Sequence, residues 1–200
     1  MKKIKKRVPA EERKKQILKC AVKVFARSNY RSAKMSDIAA EAGISEAMVY
    51  KYFPSKKTIF LKILRHMSDR IITFWREESE KTTDALVVLK SMGLTYYKRM
   101  KNHPDELKVQ FQAISEIDDK EIARQLRQDH SNYMKYINSV LEKGMEQGVI
   151  RKDLDAELTA FLFNGGGIVM NMMKLLSFDK VVNERYIERI IQLFVDSIRA

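Results

Sequence analysis

The 200-residue chain is 45% hydrophobic, has a formal net charge of +12 and contains one cysteine. Its length allows one or two domains with a real core, while a lone Cys20 excludes an intrachain disulfide framework and any multi-cysteine metal site. No apolar run approaches the roughly 18 residues of a membrane span and no signal-like segment follows the basic start, so a cytoplasmic protein without a membrane partner is expected.

The charge is unevenly placed. Residues 1–57 hold 16 Lys/Arg against 5 Asp/Glu, whereas the remaining 143 residues hold 22 against 21. A compact basic module on a near-neutral body points to a polyanion, with nucleic acid first and an anionic membrane surface second. A solubilising tail would account for Lys2 to Arg7, but not for Arg27, Arg31, Lys34, Lys51, Lys56 and Lys57.

Helical periodicity runs almost throughout, interrupted by only seven glycines and three prolines, and alternating strand-like runs are missing. Over residues 11–27, Ile17, Ala21 and Phe25 recur at every fourth position with Leu18 and Val22 beside them, predicting one amphipathic helix. Cys20 within it reads as a small core residue rather than a reactive thiol, and Asn29 suits a left-handed position after it. Met35, Ile38 and Ala39 open a short helix that Ala42 and Gly43 end. Ser45 is a good N-cap for a second short helix reaching about Phe53. Pro54 breaks that helix, and Ser55 can cap the next. Longer amphipathic stretches follow at 56–79, 82–101, 104–117, 119–147, 155–178 and 183–199, the last two being the most apolar. The expected fold is therefore all-α with about nine helices. A head is drawn at residues 1–55, with 1–9 as a basic arm, and a body at 56–200. No flexible linker separates them, so the helix opening at Lys56 joins the two.

Two short helices joined by "EAGIS" make a helix-turn-helix candidate. Gly43 lets the chain turn, Ala39 is small where the helices cross, and Ile38, Ile44 and Val49 can close a small core. With Val49 and Phe53 inward, Glu46, Ala47 and Tyr50 lie on another face with Lys51 near them, at the free N–H end of the helix where phosphate and base edges fit. Ser45 stands at that end; Tyr52 and Lys56 lie farther along, placed for phosphate contact. Core packing is the competing reading for Tyr50 and Tyr52, and solvated charge for Lys51 and Lys57.

The stretches "VFARSNY", "MSDIAAEAGIS" and "VYKYFPSKKTIF", in that order and spacing, resemble the TetR family of bacterial transcription regulators over some fifty residues. "LEKGMEQGVIRKDLDAELTA" resembles the family's junction before its dimer-forming helices. The resemblance implies a homodimeric regulator of double-stranded DNA, expected to be a repressor of a palindromic operator released by a small inducer. The departures are Asn29 where the family often has Gly, and Ala33 and Lys34 where Thr and Ser/Thr are usual. The capping oxygen would then shift to Ser36, and a hydroxyl–phosphate contact would become a Lys34–phosphate one. Glu46 also departs: a carboxylate repels phosphate yet accepts from a cytosine amino group, so it is expected to specify bases rather than add affinity.

In the body, "FLFNGGGIVMNMM" is apolar most of the way round and carries three consecutive glycines, each costing roughly 1 kcal/mol relative to Ala inside a helix. Close approach of a partner helix, or a kink beside a cavity, would explain that run. Phe161, Gly165, Ile168 and Met172 with Ile187, Ile190, Ile191, Phe194 and Ile198 are the candidates for a four-helix interface between two copies; burial within one subunit is the alternative. Trp75, Met92, Tyr96, Met100, Phe111, Met134, Ile137 and Met170 could line an apolar, adaptable cavity for a lipophilic ligand, although each also fits plain core. No cofactor or metal is expected. His66, His103 and His130 are scattered and no nucleophile motif or phosphate loop is present, which argues against an enzyme. An architectural or adaptor DNA-binding protein of the same fold, with no inducer, is the rival.

Overall fold

The structure, a computed structural model, describes residues 9–178 and 183–200, so all of the basic arm but its last residue lies outside it. Among the described residues there are nine α-helices: α1 (Ala10–Ser28), α2 (Met35–Ala42), α3 (Glu46–Tyr52), α4 (Lys56–Glu80), α5 (Ala85–Asn102), α6 (Pro104–Ile114), α7 (Lys120–Glu146), α8 (Ala156–Leu175) and α9 (Glu184–Ile198). An isolated antiparallel bridge pairs Ile150 with Arg199, tying the α7–α8 turn to the end of the chain.

Side-chain caps set most of the helix starts. Ser45 accepts from the Met48 N–H and Ser55 from the Thr58 N–H. Asp119, Asp155 and Asn183 do the same for α7, α8 and α9. Asp84 accepts from the Leu86 and Val87 N–H groups, which is why α5 starts at Ala85 rather than near 82. Two expected caps are differently built. Asn29 has a positive φ of 58° but an extended ψ of 168°, and its Oδ1 accepts from the Ser32 N–H at 3.0 Å instead of closing α1. The start of α2 does not use Ser36; the Asp37 carboxylate reaches back to the Lys34 N–H at 2.8 Å.

The apolar faces close two cores. The first gathers Ile17, Ala21 and Phe25 of α1, Ile38 and Ala39 of α2, Val49, Phe53, and Ile59, Phe60, Ile63, Leu64 and Met67 of α4. Val109 and Ala113 of α6 and Ile122 of α7 belong to it as well. The second gathers Ile71 and Trp75 of α4 with α5, α7 and α9. Packing thus passes from one core to the other inside α4, between Met67 and Ile71. Polar bonds fasten the same seam. Gln112 of α6 donates to the Phe25 carbonyl at 2.9 Å and accepts from the Tyr30 N–H at 3.0 Å. Arg31 pairs with Glu116 at 2.8 Å, and Lys57 with Asp119 and Glu121 at 3.2 and 3.0 Å.

Candidate DNA interface and body cavity

The turn between α2 and α3 is set by Gly43, whose φ of 64° and ψ of 34° are left-handed. The Gly43 N–H bonds Ala40 O at 3.1 Å and the Ile44 N–H bonds Ala39 O at 3.0 Å, the paired closure of a Schellman end. Gln16 of α1 holds the last α2 carbonyl, Ala42 O, at 3.0 Å. Docked this way, α3 buries Val49, and Phe53 after it, and leaves Glu46, Ala47, Met48, Tyr50 and Lys51 exposed. Tyr50 is 49% exposed, so the core reading fails for it; Tyr52 is half-buried against the head core, with part of its ring committed to packing. Lys34 is exposed beside this face, and among the described residues neither it nor Lys51 has an ion pair. Met48, which no motif marks, sits on the open side as well.

Lys56 is placed differently from the expectation. Its Nζ donates to Arg31 O at 2.9 Å and Ala33 O at 2.8 Å and lies 4.8 Å from the Tyr30 ring centroid. Burial pulls its pKa below the ordinary lysine value. Lys56 therefore braces the α1–α2 turn through these two carbonyls. Lys57 and Arg31 are likewise committed, to the body. Cys20 is half-buried, and burial raises its pKa, as suits an unreactive thiol.

Behind the head, α4 to α9 enclose a cavity of about 320 Å³. Trp75, Met92, Tyr96, Phe111, Ile137 and Met170 line it, as do Ile168, Ile190, Ile191 and Phe194, which had been assigned to the interface. Met100 and Met134 do not. Met100 is buried one turn beyond Tyr96, and Met134 packs partly buried on the body core. The sequence reading missed the polar lining: Gln110, Asp129, His130, Asn164 and Asn171. Asn171 donates to the Tyr96 hydroxyl. Asp129 accepts from Gln125 Nε2 at 2.8 Å, and burial raises its pKa above the usual carboxylate value.

The interface candidates separate by exposure. Phe161, Ile168, Met172 and Ile190 are exposed, joined by Leu158, Leu162, Val169, Leu176 and Leu193. Ile187, Ile191 and Ile198 are instead buried in the subunit's own core. The reason is the docking of α9 on α5 at Gly93, where a Cβ would meet Ile191 Cδ1 at 2.7 Å. Phe194 packs half-buried on Phe163, ring centroids 5.1 Å apart. The glycine run has no such reason within the subunit: a Cβ at Gly165 or Gly166 would meet nothing within 4 Å, and Gly166 faces the cavity.

Residues 17–63 match the family described as "Bacterial regulatory proteins, tetR family". The HTH-type transcriptional repressor KstR2 of Rhodococcus jostii is 27% identical over 151 residues, 76% of this chain and 74% of that protein. The fatty acid metabolism regulator protein of Bacillus subtilis is 26% identical over 155 residues, 75% of this chain and 77% of that one. Among solved structures, the transcriptional regulator FadR from Bacillus subtilis in complex with stearoyl-CoA shares the fold, with a TM-score of 0.82 at 20% identity over 92% of this chain and 99% of that one. With the left-handed Gly43 turn, the exposed α3 face and the helical body in place, residues 17–63 belong to the DNA-binding head of the TetR family of bacterial regulatory proteins, and the chain is a DNA-binding transcriptional regulator.

Proposed function

We propose that the protein is a homodimeric repressor that binds a palindromic operator and leaves it when a lipophilic small molecule fills the body cavity. The observation that carries this reading is the stripe Leu158, Phe161, Leu162, Ile168, Val169, Met172 and Leu176, exposed along one side of α8 with Leu193 of α9 beside it. Contiguous apolar surface of this extent marks an interface. A second copy related by a twofold axis fits it, because Gly165 in mid-stripe leaves room for a helix to cross closely. In the dimer, each α3 presents Ser45, Glu46, Ala47, Tyr50 and Lys51 to the major groove, with Lys34 and Tyr52 toward phosphates and Glu46 selecting a base.

The inducer reading draws support from the lining of the cavity, from the Bacillus subtilis relative described as a fatty acid metabolism regulator, and from the similar fold solved with stearoyl-CoA. An inducer acts only if it binds the non-operator separation of the two heads more tightly than the operator one. Light scattering with a gel-shift titration tests the proposal. A dimer at micromolar protein and a retarded operator complex are expected; a monomer of unchanged DNA affinity would defeat it.

A further inference from the structure

Trp75 lines the cavity, is only 5% exposed, and its indole Nε1–H has no hydrogen-bond partner among the described residues. The ring itself is fixed, edge-on to Tyr133 at 5.7 Å and stacked with Tyr136 at 5.8 Å. Tyr136 is in turn held by Ser79 at 2.7 Å. A buried donor left unpaired is costly; the nitrogen is covered by neighbouring side chains, so a ligand oxygen meets it only as these part, and the bond then recovers that cost. The other polar groups on the wall lean the opposite way. Gln110 Oε1 is buried without a partner among the described residues, and Asp129 is a buried carboxyl. Among the described residues no lysine or arginine lines the cavity, and the imidazole that does, His130, is at its exposed rim beside Asn164. A carboxylate or phosphate brought inside would lose its hydration, find no cation, and face Asp129 and Gln110.

We infer that the cavity takes an uncharged lipophile whose hydrogen-bond acceptor, a ketone or ester oxygen, pairs with the Trp75 indole N–H, and that it turns away the matching carboxylate. This rests on the ligand reading above and specifies its chemistry. An amphiphile with a charged end enters only as far as its neutral part.

The test uses the full chain at pH 8, with decan-2-one and sub-micellar decanoate as the matched pair. Trp75 is the chain's only tryptophan, so its fluorescence reports binding directly. Decan-2-one is expected to bind at least about tenfold more tightly than decanoate. Calorimetry on Trp75→Phe, which keeps a ring and drops the donor, should show a loss of roughly three- to tenfold for the ketone. In Asp129→Asn the gap between the two ligands should narrow, which keeps the inference testable if Trp75→Phe does not fold. Decanoate binding as well as the ketone, or Trp75→Phe binding the ketone unchanged, overturns the inference while the ligand reading stands. Binding of neither compound overturns both.

Discussion

Lys56→Met separates a structural lysine from a DNA-contacting one. The native ammonium makes two bonds to carbonyls, at 2.9 and 2.8 Å, and sits 4.8 Å from the Tyr30 ring. Hydrogen bonds involving a charged group contribute about 1.5–3 kcal/mol each when well buried, and a cation–π contact about 0.5–1 kcal/mol at exposed sites. Lys56 is half-exposed and Arg31 O is reached by water, so the bonds count near or below the low end of that range. Methionine keeps most of the stem packing. The net loss should be about 2–3 kcal/mol, seen in urea unfolding as a lower midpoint at unchanged slope. Operator binding, measured well below the unfolding temperature, should keep its salt dependence. Each lost phosphate contact would lower the slope of log K against log[salt] by about 0.9. A midpoint equal to wild type together with a slope reduced by that amount would refute the bracing role.

Three further outcomes follow from the same contacts. Gly166→Leu adds a side chain where a Cβ meets nothing within 4 Å and helix propensity improves by about 0.8 kcal/mol; thermal unfolding should rise or hold while the cavity fills, so ketone binding disappears from a fully folded protein. Gln112→Leu removes the bonds to Phe25 O and the Tyr30 N–H that join α6 to the head; a loss of about 1–3 kcal/mol in urea unfolding is expected, with faster hydrogen exchange confined to α1 and the α1–α2 turn. Asp129 has a raised folded pKa, so its ionised form weakens the folded state at high pH, and this penalty fades as pH falls through the folded pKa toward the ordinary aspartate value. Asp129→Asn should therefore gain stability relative to wild type most at pH 8 and lose that advantage near pH 4, as followed by thermal melts across the range.

The head was legible in the sequence because its signals are local. Gly43 needs a left-handed turn, Ser45 and Ser55 cap the helices that follow them, and Val49 with Phe53 mark one face of a short helix. Lys56 was misread because its partners, Arg31 O and Ala33 O, lie more than twenty residues earlier and are reached only in the folded head. In the body, α9 carries one wide apolar arc opposite a polar side of Glu188, Arg189, Gln192 and Asp196. Periodicity alone could not tell that Ile187, Ile191 and Ile198 turn inward while Ile190 and Leu193 turn outward; the contact of Gly93 with Ile191 decides it. The cavity's apolar wall was visible as Trp75, Tyr96 and Phe111. Its polar points, Gln110 and Asp129, read like solvated positions until α4, α6 and α7 are brought together.

The most direct measurement is enrichment of fragmented genomic DNA on the purified, full-length protein. The account predicts fragments sharing one twofold-symmetric sequence whose half-sites lie about 34–36 Å apart, or a multiple of that spacing. Glu46→Ala should relax one base position in each half-site, leaving the others as they were. Fragments enriched without a common symmetric sequence would contradict the account, and so would a Glu46→Ala protein weakened equally on every sequence.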